Sequence, residues 1–143
     1  MAVIAKTGTY ISLVDPLKCI IKSYIAHEDI DAGEAVYEVT ASGKAGLATA
    51  AAANNLAQFR GIALKNAKAG YAVDVLERGE IQGFTLAGVL DYDAPVYLSD
   101  TAGALDTAAG SVTVIVGAVS HINDMPTLTK TLNIEVARHH VWA

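Results

Sequence analysis

The sequence predicts a mainly β protein: a small β-barrel or sandwich of short strands, with an extended N-terminal arm and at most one short helix. Three observations lead there. Runs of four to eight residues rich in Val, Ile and Tyr recur along the chain. Turn signals separate them at intervals of about 8–12 residues, the spacing of all-β sandwiches and barrels. Glycine is the recurrent punctuation, at positions where turns call for positive φ.

The elements follow in order. Residues 1–17 carry no helical period; Gly8 and Pro16 punctuate them, and Thr7, Thr9 and Ser12 dilute their apolar residues. They read as an extended arm preceding a β domain over 18–143. Val3, Ile4, Tyr10, Ile11, Leu13 and Val14 are costly to leave in water, so the arm is expected to dock, and these six are its candidate partner contacts. Cys19 to Ala26 is a strand ending at His27-Glu28-Asp29, and Asp31-Ala32-Gly33 is a turn. Ala35 to Val39 is a strand, and Ala41-Ser42-Gly43-Lys44 turns again. Leu47 to Leu56 is alanine-rich and suits a short helix. Phe59 to Leu64 is a strand and Asn66 to Gly70 a loop. Tyr71 to Leu76 alternates, reaches Glu77-Arg78-Gly79-Glu80, and continues as Ile81 to Leu86, the pattern of a hairpin. Pro95 opens the strand Val96-Tyr97-Leu98, and Thr101-Ala102-Gly103 turns the chain. Ser111 to Val119 is the longest β-branched run, and Leu132 to Val136 alternates once more.

Two stretches echo each other, at about 33–63 and 93–119. Gly33-Glu34-Ala35-Val36-Tyr37, Ser42-Gly43 and Arg60-Gly61-Ile62-Ala63 answer to Asp93-Ala94-Pro95-Val96-Tyr97, Ala102-Gly103 and Val116-Gly117-Ala118-Val119. Each supplies a tyrosine to a strand and a pair of tight turns. Neither supplies a cluster of reactive groups.

Composition narrows the function. The chain has 143 residues, enough for one domain with a substantial core. Charged residues make up 17% and hydrophobic ones 52%, with only 6% aromatic. This is dry for a soluble monomer, yet no run approaches the roughly 18–20 apolar residues of a spanning helix. Further surface is therefore expected to be hidden against partners rather than in a membrane. A net charge of −5 and singly scattered Lys and Arg argue against nucleic acid. The first residues lack the apolar core of a secretory leader, and the single Cys19 can form no internal disulfide, so folding in a cytoplasm is expected. Cys19, inside Cys19-Ile20-Ile21, reads as a small packed hydrophobe rather than a reactive thiol.

Motifs for chemistry fail on inspection. A phosphate loop at Ser42-Gly43-Lys44 needs an earlier Gly and a following Ser or Thr, where Glu38 and Ala45 stand. Calcium loops opening at Asp29 or Asp91 lack their Gly, holding Glu34 and Val96, and their Glu, holding Thr40 and Ala102. Adjacent His139 and His140 point to opposite sides of a strand, which is poor spacing for zinc. With Val141 and Trp142 they read better as a tail that packs on a neighbour, Trp142 being the candidate contact. There is no Gly-x-Ser-x-Gly elbow, and Glu77 and Glu80 at a presumed turn are expected to stay hydrated. Lys44 as the modified lysine of a lipoyl- or biotin-carrier domain lacks the usual Asp or Met neighbours. No catalytic, cofactor-binding or metal-ligating residue is assigned.

The ordered succession Gly33-Glu34-Ala35-Val36-Tyr37, Phe59-Arg60-Gly61-Ile62-Ala63-Leu64, Val73-Asp74-Val75-Leu76-Glu77-Arg78-Gly79-Glu80, Ala94-Pro95-Val96-Tyr97-Leu98-Ser99-Asp100 and Val116-Gly117 resembles a family of tailed-bacteriophage capsid decoration (cement) proteins. The resemblance covers roughly residues 30–120. It implies a non-enzymatic virion protein, made in the host cytoplasm and bound to the outer capsid surface. The implied partners are the major capsid protein and two further copies of the chain in a homotrimer, with no cofactor. Another phage structural module, from a tail or fibre, and a small β carrier domain are the alternatives.

Overall fold

The β-branched runs form strands, and the strands form one sheet. In a computed structural model that describes residues 2–8 and 11–136, ten strands are β1 (Ser12–Leu13), β2 (Ile20–Ile25), β3 (Ala35–Glu38), β4 (Ala45–Leu47), β5 (Gly61–Ala63), β6 (Ala72–Gln82), β7 (Pro95–Leu98), β8 (Leu105–Asp106), β9 (Ile115–Asp124) and β10 (Thr127–Glu135). Their order is β4-β3-β5-β6-β10-β9-β7-β8, antiparallel throughout, with β1 and β2 also paired to β6. The sheet curls into a half-barrel. Among the described residues the helical content is two single 3-10 turns, Pro16–Lys18 and Asn55–Ala57, each capped by the side chain before it, Asp15 or Asn54.

The core lies inside the curl. Phe59, Ile62, Leu76, Ile81, Leu98, Leu105, Leu132 and Ile134 are all fully buried there. A second, smaller cluster of Tyr24, Ile30, Val36, Val73 and Val75 packs on the opposite face of the first strands. β6 serves both. Val73 and Val75 belong to the small cluster and Ile81 to the large one, although all three have odd numbers. The change of face falls where the β2 ladder skips a residue, between Leu76 and Arg78. A bulge of this kind reverses which side of a strand faces in.

Three sequence expectations are corrected here. Glu77-Arg78-Gly79-Glu80 is no hairpin turn: β6 runs straight through it. Gly79, at φ +143°, is needed because a Cβ there would stand 2.5 Å from Cys19 Sγ. Leu47 to Leu56 forms no α-helix. Ala48 and Ala50 are fully buried in an extended strap, where the Ala48 N–H donates to Ala35 O (2.9 Å) and the Ala50 N–H to Ser99 O (2.9 Å). Alanine fits that strap because it is small; a helix would forfeit its bonds to both neighbours. Finally, the last two strands are shifted. β9 starts at Ile115 and runs to Asp124, and β10 starts at Thr127, so both extend past the core as a hairpin.

The two echoing stretches make matching ladders. Val36 stands opposite Gly61, and Val96 opposite Gly117. The Ala63 N–H donates to Glu34 O, and the Val119 N–H to Ala94 O. The strand order itself reads the same from either end, β4-β3-β5-β6 meeting β8-β7-β9-β10 at the β6–β10 seam.

Candidate interaction surface

The N-terminal segment docks on its own domain. The Ile4 N–H donates to Leu105 O (2.8 Å), the Thr7 N–H to Gly83 O (2.8 Å) and the Val14 N–H to Glu80 O (3.0 Å). Ile4 is buried in the large core, and Ile11 and Leu13 pack half-buried against it. The buried Asp106 carboxylate holds the start of the segment. It accepts the Ala2 N–H (2.9 Å), the Ala108 N–H (3.2 Å) and the Ser99 hydroxyl (3.3 Å). An arm reaching to another molecule is thus replaced, for these residues, by an arm closed on itself. The reason is that Val3, Lys6, Ser12 and Leu13 pair with Asp106, Phe84, Gln82 and Ile81. Of the candidate contacts only Val3 stays well exposed, at 51%. Tyr10 and Trp142 lie outside the described residues.

The apolar surface left to a partner lies elsewhere. β2 is an edge strand: it pairs with β6, and among the described residues no strand covers its other side. Ile20, Ile21 and Ile25 are each about half exposed, and Leu17 beside them is 97% exposed. Isoleucine favours the strand, but at the sheet margin the core reaches only Tyr24, so the remaining isoleucines meet water. The second area is the β9–β10 hairpin. Among the described residues β10 joins β6 from Leu132 onward and β9 joins β7 up to Ala118, so there residues 120–131 form strand pairs with each other alone. Met125 at the tip and Leu128 on the strand are exposed. At its base Tyr92 meets His121 edge to face (5.9 Å between ring centres), and Lys130 Nζ lies 5.0 Å from the Tyr92 ring centre. The Lys130 ammonium also donates to Leu90 O. A groove of about 580 Å³ opens beside them, lined by Phe84, Leu86, Tyr92 and Leu128 among others.

Polar chemistry is dispersed. Among the described residues no three His, Cys, Asp or Glu side chains gather as metal ligands would. The Cys19 thiol donates to Asp15 O (3.2 Å), and desolvation, then the Asp15 charge, push its pKa up. Asp100 is held below the usual carboxylate range by the Ser111 N–H and hydroxyl, both at 2.8 Å. Asp29 is lowered by the Ala69 N–H and then by Lys68. Both carboxylates are fastened turns. Ser42-Gly43-Lys44 closes the β3–β4 hairpin, where the Val39 N–H donates to Lys44 O (2.7 Å). The Ser99–Asp106 pair bonds chain segments together, with Thr101 N–H on the serine oxygen.

Reading the sequence missed β2 and the hairpin as surfaces. The Leu17–Ile25 stretch was a signal, since a one-sided edge strand alternates, while here Ile20 and Tyr24 share one face and Ile21 and Ile25 the other. No family model, curated protein or solved structure matches the chain.

Proposed function

We propose that this chain is a structural virion protein that binds the outer surface of a phage capsid and stabilises the expanded shell, as a trimer and without catalysis. One observation carries the reading: the exposed apolar margin of Leu17, Ile20, Ile21 and Ile25 on a strand with an open edge. Such a margin is an aggregation hazard unless a partner covers it. A repeating shell offers that cover many times over, and mass action then favours the assembled state. The resemblance of residues 30–120 to decoration proteins and a mean hydropathy of +0.36 point the same way.

The test is to purify particles from the source phage and quantify this chain against the major shell protein. Near-equimolar copies, released by mild chaotrope while shells stay intact, are expected. A few copies per particle would instead favour a tail or fibre part, and absence from particles would end the virion reading.

A further inference from the structure

β2 carries a short, bounded stretch of backbone that is open among the described residues. Its even-numbered residues are turned to β6. The Ala26 N–H donates to Tyr71 O (2.8 Å), and Tyr24 and Lys22 stand opposite Val73 and Val75 in the same register. Asp74, opposite Ser23, is turned the other way, where its carbonyl accepts the Leu64 N–H (2.9 Å). Hydrogen-bonded pairs alternate along an antiparallel ladder, so Ile21, Ser23 and Ile25 direct their N–H groups to the outer edge. Both ends of the stretch are closed. Beyond Ile25, Ala26 bridges Ala45 and the His27 N–H donates to Ala45 O (2.7 Å). Before Ile21 the ladder slips, and the Cys19 N–H donates back to Pro16 O (3.3 Å). A strand added here meets three outward residues, with Ser23 in the middle.

We infer that this strand is β2 of a second copy, paired antiparallel about a two-fold axis at Ser23. Side chains and charge both select it. A two-fold between neighbouring antiparallel strands places one residue opposite itself. With Ser23 in that place, Ile21 falls opposite Ile25 on both sides of the axis, and the four isoleucines, each about half exposed in a single copy, share the outer face. Lys22 falls opposite Tyr24, whose ring centre already lies 5.3 Å from the Lys22 ammonium of its own copy. The alternative of Lys22 opposite itself sets like charges face to face. A pocket of about 450 Å³ beside the edge holds Lys22, Arg60, Glu38 and Glu77, none of them ion-paired among the described residues, while Arg78 is paired to Glu135. A strand of one charge sign leaves half of these groups unmet; a two-fold copy brings both signs to both sides. The pairing satisfies the edge backbone by strand addition. It leaves Leu17 and the joined isoleucines facing outward, so it does not depend on capsid binding and adds a two-fold contact to a three-fold one.

Ser23→Cys and Lys22→Cys chains are oxidised with diamide, with the parent, which has Cys19 alone, as the blank. Across the axis the two positions 23 form a hydrogen-bonded pair with Cα atoms about 5.5 Å apart, inside the range a disulfide bridges. The two positions 22 are offset by two residues, on the order of 8 Å apart and outside it. Ser23→Cys is expected to give a covalent pair in roughly tenfold higher yield than Lys22→Cys. Ser23→Pro removes only an N–H that faces the edge, so the ladder to β6 is kept. By native mass spectrometry the parent is expected at roughly twice the copy number of Ser23→Pro. Failure of Ser23→Cys to cross-link, equal yields at the two positions, or equal copy numbers for parent and Ser23→Pro would each overturn the inference. With equal copy numbers, slow amide exchange at Ser23 would assign the edge to the same chain, and fast exchange to no strand at all. Should Ser23→Pro not fold, the cross-links decide alone.

Discussion

Val36 and Val96 hold the same place in their ladders, each opposite a glycine whose backbone lies against a neighbouring carbonyl. A Cβ on Gly61 would lie 2.3 Å from Leu76 O, and one on Gly117 would lie 1.9 Å from Asn133 O. Around this shared frame the halves diverge. The first wraps its outer strand with β2 and begins its repeat with Gly33 at φ +87°. The second has no strand beside the outer β9–β10 hairpin among the described residues and begins with Asp93 at φ +64°. Backbone contacts thus hold the shared frame, while the exposed apolar residues Ile20, Ile21, Ile25 and Leu128 lie at the sheet margins, where the halves differ.

The largest effect should come from the frame. Gly61→Ala and Gly117→Ala are each expected to cost about 3 kcal/mol or more, since a backbone carbonyl must move and Gly61 is also at φ +149°. Denaturant melts of both variants check this; a neutral Gly117→Ala would break the equivalence of the halves. Next comes the N-terminal segment. Ile4→Ala should cost about 2–4 kcal/mol as a core truncation. Ile20→Ala on the exposed margin should stay within about 0.5 kcal/mol in the isolated chain. Similar losses from the two would erase the distinction between core and margin.

The turn positions give a smaller contrast. Gly33→Ala is expected to destabilise by about 1–2 kcal/mol, because the new side chain enters the left-handed region. Asp93→Gly should change stability by less than about 1 kcal/mol, since Asp tolerates that region. The smallest effect is that of pH at Asp100. Its folded pKa lies below the ordinary value, so its contribution is present above the ordinary carboxylate range and is lost as pH falls through the folded value. Asp100→Asn should therefore melt earlier than the parent at pH 7, and the gap should close by about pH 2. A gap that persists in acid would assign it to lost hydrogen-bond geometry rather than charge.

Strand content was legible in the sequence because Val, Ile and Tyr runs and glycine turns are local signals. What misled was any residue whose reason lies far along the chain. Gly79 reads as a turn until Cys19 is seen against it. The alanines of 48–50 read as helix until Ala35 and Ser99 are seen to bond them. Ile4 reads as a free contact until Leu105 is seen beneath it. For the same reason the candidate surface was poorly legible. Whether Ile20 or Ile62 is buried depends on which strand lies at the margin, and strand order is not written in local pattern.

The hold of Asp106 on Ala2 spans 104 residues. During synthesis Ala2 is made before its anchor on β8, which follows 104 residues later. Ile4 and its neighbours must stay unsatisfied through that interval. A contact of such long range closes late in folding, because the intervening loop must be ordered before it forms.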